Sequence, residues 1–154
     1  MDFVAAGFNY RMTDFQAVLG TSQLKRLPGI IKTKQELAQV YFEELDASRV
    51  QLPSIPEDSD HTWQTFHVLL PDDLDQAQVI AQLRARGIGT NYGAQCIPYQ
   101  TYYAEKYQLD CQANFPNALR SFKKGLALPI YEKLSPTDIR YISQQLNEIT
   151  SKKV

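Results

Sequence analysis

The sequence predicts an α+β fold in which helices flank a small, mostly antiparallel sheet. Apolar residues recur every three or four positions over residues 30–45 and again over 139–149, which is typical of amphipathic helices. Residues 63–70 instead alternate between apolar and mixed positions, as in a half-buried strand. The predicted buried face of that strand consists of Phe66, Val68 and Leu70.

Residues 1–47 are expected to form a loop followed by a helical elbow. The first helix of the elbow covers about residues 14–27, and Pro28-Gly29 is expected to stop it. The second helix carries the stripe of residues 30–45. We interpret this segment as an interdomain or dimer element that precedes a small α+β domain of residues 48–154.

The small domain begins with a loop, in which prolines limit any strand to residues 50–52. After the strand of residues 63–70, Asp75 is expected to cap a helix that ends at Gly87 in a left-handed conformation. A second strand is predicted over residues 88–92. The apolar residues of the intervening helix are Val79, Ile80 and Leu83.

The C-terminal third contains a segment without a clear pattern, residues 93–107, which holds five tyrosines if Tyr92 is counted with it. A short helix then ends at Gly125, and a third strand is predicted over residues 126–128. Ser135 is expected to cap the last helix, with Pro136 at its first position and Asp138 in the capping-box slot. Its buried stripe is predicted to be Ile139, Ile142, Leu146 and Ile149.

Composition excludes several classes of protein. The 154 residues are 44% hydrophobic and 21% charged, as in an ordinary soluble domain. A net charge of −1 gives no electrostatic reason to bind nucleic acid, and no apolar run reaches membrane-spanning length. The start of the chain does not resemble a signal peptide, so we expect a cytoplasmic protein. The two cysteines and two histidines lack metal-ligand spacing, so no metal site is expected.

The stretch from Gly7 to Gly20 joins a polar, aromatic loop to a helix start. Thr13 and Gln16 have capping-box spacing, which places Asn9 and Arg11 just ahead of the helix N-terminus. Free N–H groups and the helix dipole favour an anion there, and an amide with a guanidinium could hold a phosphate or a carboxylate. The alternative is that Asn9 only satisfies its loop while Arg11 lies in solvent.

Five stretches, in this order, resemble the DegT/DnrJ/EryC1/StrS family of pyridoxal-phosphate-dependent (PLP-dependent) sugar aminotransferases. The most specific is GFNYRMTDFQAVLG followed by Gln23-Leu24. The others are the amphipathic helix with Tyr41 and Leu45 and residues 61–66, 87–90 and 126–131. The resemblance implies the C-terminal small domain of a fold-type I aminotransferase, without the large domain that carries the Schiff-base lysine. The full-length parent would use PLP, bound mainly by the missing domain, and an amino-acid donor to aminate a keto group of a nucleotide-linked sugar.

The resemblance also implies roles for individual residues. Asn9 corresponds to an asparagine that reaches across a homodimer to the cofactor phosphate, and Arg11 to an arginine of the same loop with a phosphate-binding or loop-fixing role. Tyr92, Tyr99 and Gln100 fall in the stretch that borders the sugar-nucleotide site. For the tyrosines, simple aromatic packing is the alternative. Many relatives place a histidine near Tyr99 and this chain has none, which leaves the identity of the sugar nucleotide open.

Transamination requires a lysine that forms the imine with the cofactor. The nine lysines of this chain fall on polar helix faces, at turns or in the tail, and none has the flanking sequence of the family's Schiff-base lysine. We therefore predict that this chain alone is inactive. The alternative function is a stand-alone, non-catalytic module that binds a nucleotide sugar or assembles with another chain.

Overall fold

The computed structural model describes residues 10–151. Within that range the chain forms helices around one small antiparallel sheet, which confirms the predicted α+β class. The elements are α1 (Asp14–Glu44), β1 (Phe66–Leu69), α2 (Gln76–Ala85), a 3₁₀ turn (Ile97–Tyr99), α3 (Thr101–Tyr107), α4 (Cys111–Asn114), α5 (Pro116–Lys124), β2 (Gly125–Leu128) and α6 (Pro136–Ser151). No helix within the described range combines the length and apolar character needed to span a bilayer.

The predicted break at Pro28 is wrong, because α1 is one continuous helix of 31 residues. A proline inside a helix removes one hydrogen bond, to the carbonyl of Leu24 four residues earlier. Leu24 lies on an exposed stretch of α1, so water can satisfy that carbonyl. The capping box is confirmed: the Gln16 N–H donates to Thr13 Oγ1 (3.4 Å), and the Thr13 N–H donates to Gln16 Oε1 (2.9 Å).

The two halves of α1 have different surroundings. In the C-terminal half, Leu37, Ala38 and Tyr41 are buried, and this half packs against α6. Over residues 10–29 every residue is exposed except Gly20, which is half-buried. The helix is roughly 45 Å long at the usual rise per residue, so the rest of the described chain covers only part of it.

The sheet contains two strands, where the sequence predicts three or four. β1 and β2 pair antiparallel, from Phe66 opposite Leu128 to Leu69 opposite Gly125. The other two predicted strands each contribute a single bridge, Gln51 to Leu69 and Asn91 to Ala127. The four segments therefore lie side by side, but only the central pair forms a ladder.

The strand predicted over residues 88–92 ends after one bridge because its own turn bends the chain away. The Asn91 side chain accepts a hydrogen bond from the Gly93 N–H (2.6 Å), and the Ala94 N–H donates to the Tyr92 carbonyl (2.8 Å). Gly93 has φ +71°, which an extended strand does not allow. Only the hydrogen bond from the Ala127 N–H to the Asn91 carbonyl (2.7 Å) ties this segment to β2.

One hydrophobic core joins α1, β1, β2, α2 and α6. The predicted inner face of β1 is fully buried, and Tyr41 stacks on Phe66 with 4.6 Å between ring centroids. The Tyr41 hydroxyl donates to the Pro129 carbonyl (2.7 Å), so its polar atom is satisfied within the core. Burial raises the pKa of Tyr41 well above its usual value, and the phenol stays protonated.

Several predicted helix ends are confirmed. Asp75 caps α2 by accepting from the Gln78 N–H (2.8 Å), and Gly87 ends that helix with φ +78°. Ser135 and Asp138 form the predicted box at the start of α6, since the Ser135 N–H donates to Asp138 Oδ2 (2.8 Å) and the Asp138 N–H donates to Ser135 Oγ (3.2 Å). The predicted apolar stripe of α6 is buried.

Candidate functional site

Two of the predicted site residues belong to the loop before α1. Asn9 lies outside the described residues. Arg11 is exposed and lies two residues before the capping residue Thr13. The first turn of α1 already has the Thr13–Gln16 capping box and the carboxylate of Asp14, so it has less capacity for an external anion than the sequence predicts. The guanidinium of Arg11 is the main described group here that can bind a phosphate.

The other three predicted site residues come together around Gln95 and Phe122. The rings of Tyr92 and Tyr99 both meet Phe122, at centroid distances of 5.6 and 5.8 Å. Gln95 donates to the Tyr92 hydroxyl (3.0 Å) and accepts from Gln100 Nε2 (3.4 Å). We call these five residues the aromatic–amide cluster. Its two tyrosines are 40% and 47% exposed, so each keeps a surface for a ligand.

The aromatic–amide cluster has the chemistry of a binding surface for a sugar or a base. Half-exposed tyrosine rings offer apolar faces together with hydroxyl groups, and glutamine amides both donate and accept hydrogen bonds. Lys123 places its Nζ 5.1 Å from the centroid of the Tyr99 ring, which puts a positive charge at the edge of the cluster. That charge suits a ligand carrying phosphate.

His67 anchors the loop that presents the cluster. Its Nε2 lies 3.3 Å from the Tyr92 carbonyl oxygen. The ring also packs on two glycines: a Cβ added at Gly93 would lie 2.6 Å from His67 Cδ2, and one at Gly125 would overlap the His67 ring and the Ser121 carbonyl. No spacing in the sequence indicates this contact, because the two glycines follow His67 by 26 and 58 positions.

Gln95, Phe122 and Lys123 join this candidate site, and the sequence does not predict their contacts with it. Phe122 lies in α5, within the short helix that the sequence predicts before Gly125. Its contacts with Tyr92 and Tyr99, 30 and 23 positions earlier, do not follow from any spacing in the sequence. Beside the cluster lies a cavity of about 620 Å³. Its lining includes Tyr99, Gln108, Asp110, Cys111 and Lys123. No hydrogen bond or ion pair of the described residues joins Arg11 to this region.

None of the lysines that the structure describes is buried. Between residues 10 and 151 every lysine is exposed or half-buried. Lys124, one of the half-buried ones, donates from Nζ to the carbonyls of Asp72 (3.0 Å) and Leu74 (2.8 Å), so its charge is used within the fold. An imine with a cofactor aldehyde needs an uncharged amine, which burial of a lysine favours, and the exposure of the described lysines does not provide that environment. No group of three metal-ligating side chains occurs in the same part of the chain.

Comparison with family models gives a match over almost the entire chain. The model of the DegT/DnrJ/EryC1/StrS aminotransferase family matches residues 2–147. Two curated relatives are an uncharacterized protein, MJ1066, of Methanocaldococcus jannaschii and the spore coat polysaccharide biosynthesis protein SpsC of Bacillus subtilis. MJ1066 is 27% identical over 97% of this chain and 40% of its own length. SpsC is 29% identical over 93% of this chain and 38% of its own length. The chain thus spans about two fifths of the length of these relatives.

Solved structures show the same fold. A putative sugar aminotransferase from Streptococcus pneumoniae, Spr1654, has a TM-score of 0.82 in its PLP form at 23% identity, covering 97% of this chain and 38% of that one. The S. venezuelae protein DesV, solved in complex with a ketimine intermediate, has a TM-score of 0.83 at 23% identity, covering 98% and 40%. At this level of identity the likeness establishes the fold.

Proposed function

Because the chain belongs to the DegT/DnrJ/EryC1/StrS aminotransferase family, we propose that it is the C-terminal part of a PLP-dependent enzyme that aminates a keto group of a nucleotide-linked sugar. The observation that carries this proposal is the family match over residues 2–147. It is combined with the finding that the chain spans only about two fifths of the length of its relatives. The names of SpsC and Spr1654 support a sugar substrate and polysaccharide biosynthesis. An amino acid such as glutamate is the proposed donor.

The proposal divides the chemistry between two parts of the parent. PLP, when bound, supplies the electron sink for transamination, and the missing large domain supplies the imine-forming lysine. This chain supplies binding groups. The amide of Asn9 is proposed to donate to the cofactor phosphate of the partner subunit, and Arg11 to bind a phosphate or fix the same loop. The exposed and half-buried lysines of residues 10–151 agree with this division.

The aromatic–amide cluster is proposed to form one wall of the sugar-nucleotide site. Tyr92 and Tyr99 would stack on sugar or base, Gln100 would hydrogen-bond, and Lys123 would attract the diphosphate. The enzyme is proposed to act as a cytoplasmic homodimer, with the exposed half of α1 covered in the assembly. Phe15, 91% exposed in this structure, is the largest apolar side chain available for that contact.

Reconstitution of the full-length enzyme tests the proposal. The purified parent, given PLP, a nucleotide-linked keto-sugar and glutamate, should produce an amino-sugar nucleotide that mass spectrometry detects. Asn9→Ala should weaken PLP binding about tenfold, as expected for one charge-assisted hydrogen bond, while Gln78→Ala on α2 should leave it unchanged. Residues 1–154 alone should develop no imine absorbance with PLP. An imine on this fragment that one lysine substitution abolishes would refute the division of labour.

A second candidate is a non-catalytic module that binds nucleotide sugars. The half-exposed aromatic–amide cluster favours it, because binding a ligand there needs no imine-forming lysine. Reading the genomic sequence upstream of Met1 distinguishes the two. An in-frame large domain with an internal lysine motif supports the enzyme, and a start codon without such a domain supports the module. Binding of a nucleotide sugar by the module should then be lost in Tyr99→Ala.

A further inference from the structure

Two thiols that the proposed transamination does not use lie in contact. Cys96 Sγ is 3.2 Å from Cys111 Sγ, although the residues are 15 positions apart. Cys96 precedes the 3₁₀ turn, and Cys111 opens α4. Both are buried, at 1% and 8% exposure, and they pack with Leu119 and Phe122 in a small core separate from the main one.

We propose that Cys96 and Cys111 are a reversible disulfide modification site that reacts with low-molecular-weight disulfides such as oxidised glutathione. A disulfide needs the sulfurs about 2 Å apart, so they must approach by only about 1 Å. Each cysteine lies at the end of a short helical element rather than inside a strand. Small side-chain rotations at these two positions can supply that movement.

The surroundings of the pair assign the order of reaction. Cys111 lines the 620 Å³ cavity beside the aromatic–amide cluster, together with Lys123, so an external disulfide reaches it first. Cys96 does not line that cavity and serves as the resolving thiol. Burial, more than any other influence, raises the pKa of the Cys111 thiol, and the contact with Cys96 adds to the rise. Only the thiolate attacks, so the first step is slow at neutral pH.

The two steps balance in atoms and electrons. Cys111 loses its proton, and its thiolate attacks one sulfur of oxidised glutathione, which breaks that disulfide and releases one glutathione thiolate. Cys96 then loses its proton and attacks Cys111 Sγ, which releases the second glutathione. The two protein thiols are oxidised by two electrons, and the glutathione disulfide is reduced to two thiols. A dithiol reductant such as dithiothreitol restores the two protein thiols and is itself oxidised to its cyclic disulfide.

The disulfide would close a loop that contains Tyr99 and Gln100. The 3₁₀ turn, α3 and the start of α4 would then be tethered at both ends. This places a redox-dependent constraint beside the cluster, and it does not depend on the cluster's proposed substrate. The bond should slow backbone exchange across residues 97–110.

Peptide mapping tests the proposal. The purified full-length protein is incubated with oxidised glutathione, quenched with an alkylating agent, digested and examined by mass spectrometry. We expect a peptide pair linked through Cys96 and Cys111, at least several-fold slower hydrogen exchange over residues 97–110, and loss of both effects with dithiothreitol. The denatured protein, treated in the same way, is the control that shows the reagent is active. If it reacts while the two thiols of the native protein remain alkylatable or carry only glutathione, the proposal is overturned.

Single-cysteine variants test the assigned order. In Cys96→Ala, glutathione should accumulate as a mixed disulfide on Cys111. In Cys111→Ala, the buried Cys96 should stay unmodified for as long as wild type takes to cross-link. The reverse pattern would overturn the order of attack, and the circular dichroism spectrum of each variant confirms that it is folded. The wild-type linkage measurement stands by itself if either variant does not fold.

Discussion

Gly93 is the residue at which the chain leaves the sheet and enters the loop of the aromatic–amide cluster. Its backbone has φ +71°, a region that costs an L-residue roughly 1–2 kcal/mol. The His67 ring leaves no room for a Cβ, since the nearest ring carbon would be 2.6 Å away. The position therefore combines a backbone requirement with a steric one.

Gly93→Ala should lower the free energy of unfolding by about 2 kcal/mol or more, because strain and the clash with His67 act together. Urea denaturation followed by circular dichroism measures this change in the free energy of unfolding. Gly29→Ala is the matched control: Gly29 lies inside α1 with nothing within 4 Å of an added Cβ, so alanine should stabilise the helix by about 0.5–1 kcal/mol. Equal effects of the two substitutions would contradict the steric argument.

Tyr41 carries a second prediction at this scale. Its hydroxyl donates to the Pro129 carbonyl from within the core. Tyr41→Phe keeps the stacking on Phe66 but leaves that carbonyl without its partner, so we expect a loss of about 1 kcal/mol in unfolding free energy. Tyr131→Phe, at an exposed position, should change the value by less than about half of that. Thermal and urea unfolding of the two variants give the comparison.

At the scale of elements, signals confined to a few residues predicted the structure well. The capping boxes at Thr13 and Ser135 and the left-handed Gly87 each depend on atoms no more than a turn away, and all three are present. The inner face of β1 follows from alternation alone. Local chemistry of this kind can be read from a sequence because the partners are neighbours in it.

Two elements could not be predicted because distant or competing interactions decide them. At Pro28 the cost of one lost hydrogen bond is outweighed, and α1 continues into the half that packs on α6. After Asn91, the side chain competes with the ladder by bonding the Gly93 N–H. The convergence of Tyr92, Tyr99 and Phe122 is likewise a product of the fold, and no spacing in the sequence shows it.

The N-terminus of α6 should make stability depend on pH. Hydrogen bonds from the Ser135 hydroxyl, and then from its N–H, hold the pKa of Asp138 below its usual value. A carboxylate with a lowered folded pKa contributes stability above its unfolded pKa of about 3.9, and that contribution is lost as the pH falls through the folded value. In Asp138→Asn, the stability difference from wild type should therefore be present at pH 6 and shrink below about pH 4. A difference independent of pH, in urea titrations at both values, would show that the carboxylate charge is not involved.

At the scale of the whole molecule, the rest of the described chain leaves the N-terminal half of α1 uncovered. Phe15, Val18 and Leu19 are more than half exposed, and Met12 and Leu24 extend this apolar surface. One ion pair of the described residues, from Arg26 to Glu132 (2.8 Å), connects the segment to the loop before α6. Apolar side chains in such number favour contact with another protein surface.

Phe15→Ala should weaken dimerisation of the full-length protein roughly a hundredfold or more, because burial of a phenylalanine contributes about 1.5–3 kcal/mol per copy and a twofold interface contains two copies. Sedimentation velocity over a dilution series measures the dissociation constant. Tyr131→Ala removes an exposed aromatic ring outside α1 and should leave the constant unchanged. The alternative outcome is that Phe15→Ala lowers the melting temperature but leaves the dimer dissociation constant at its wild-type value. In that case the large domain of the same chain covers this face, and the proposed dimer contact lies elsewhere.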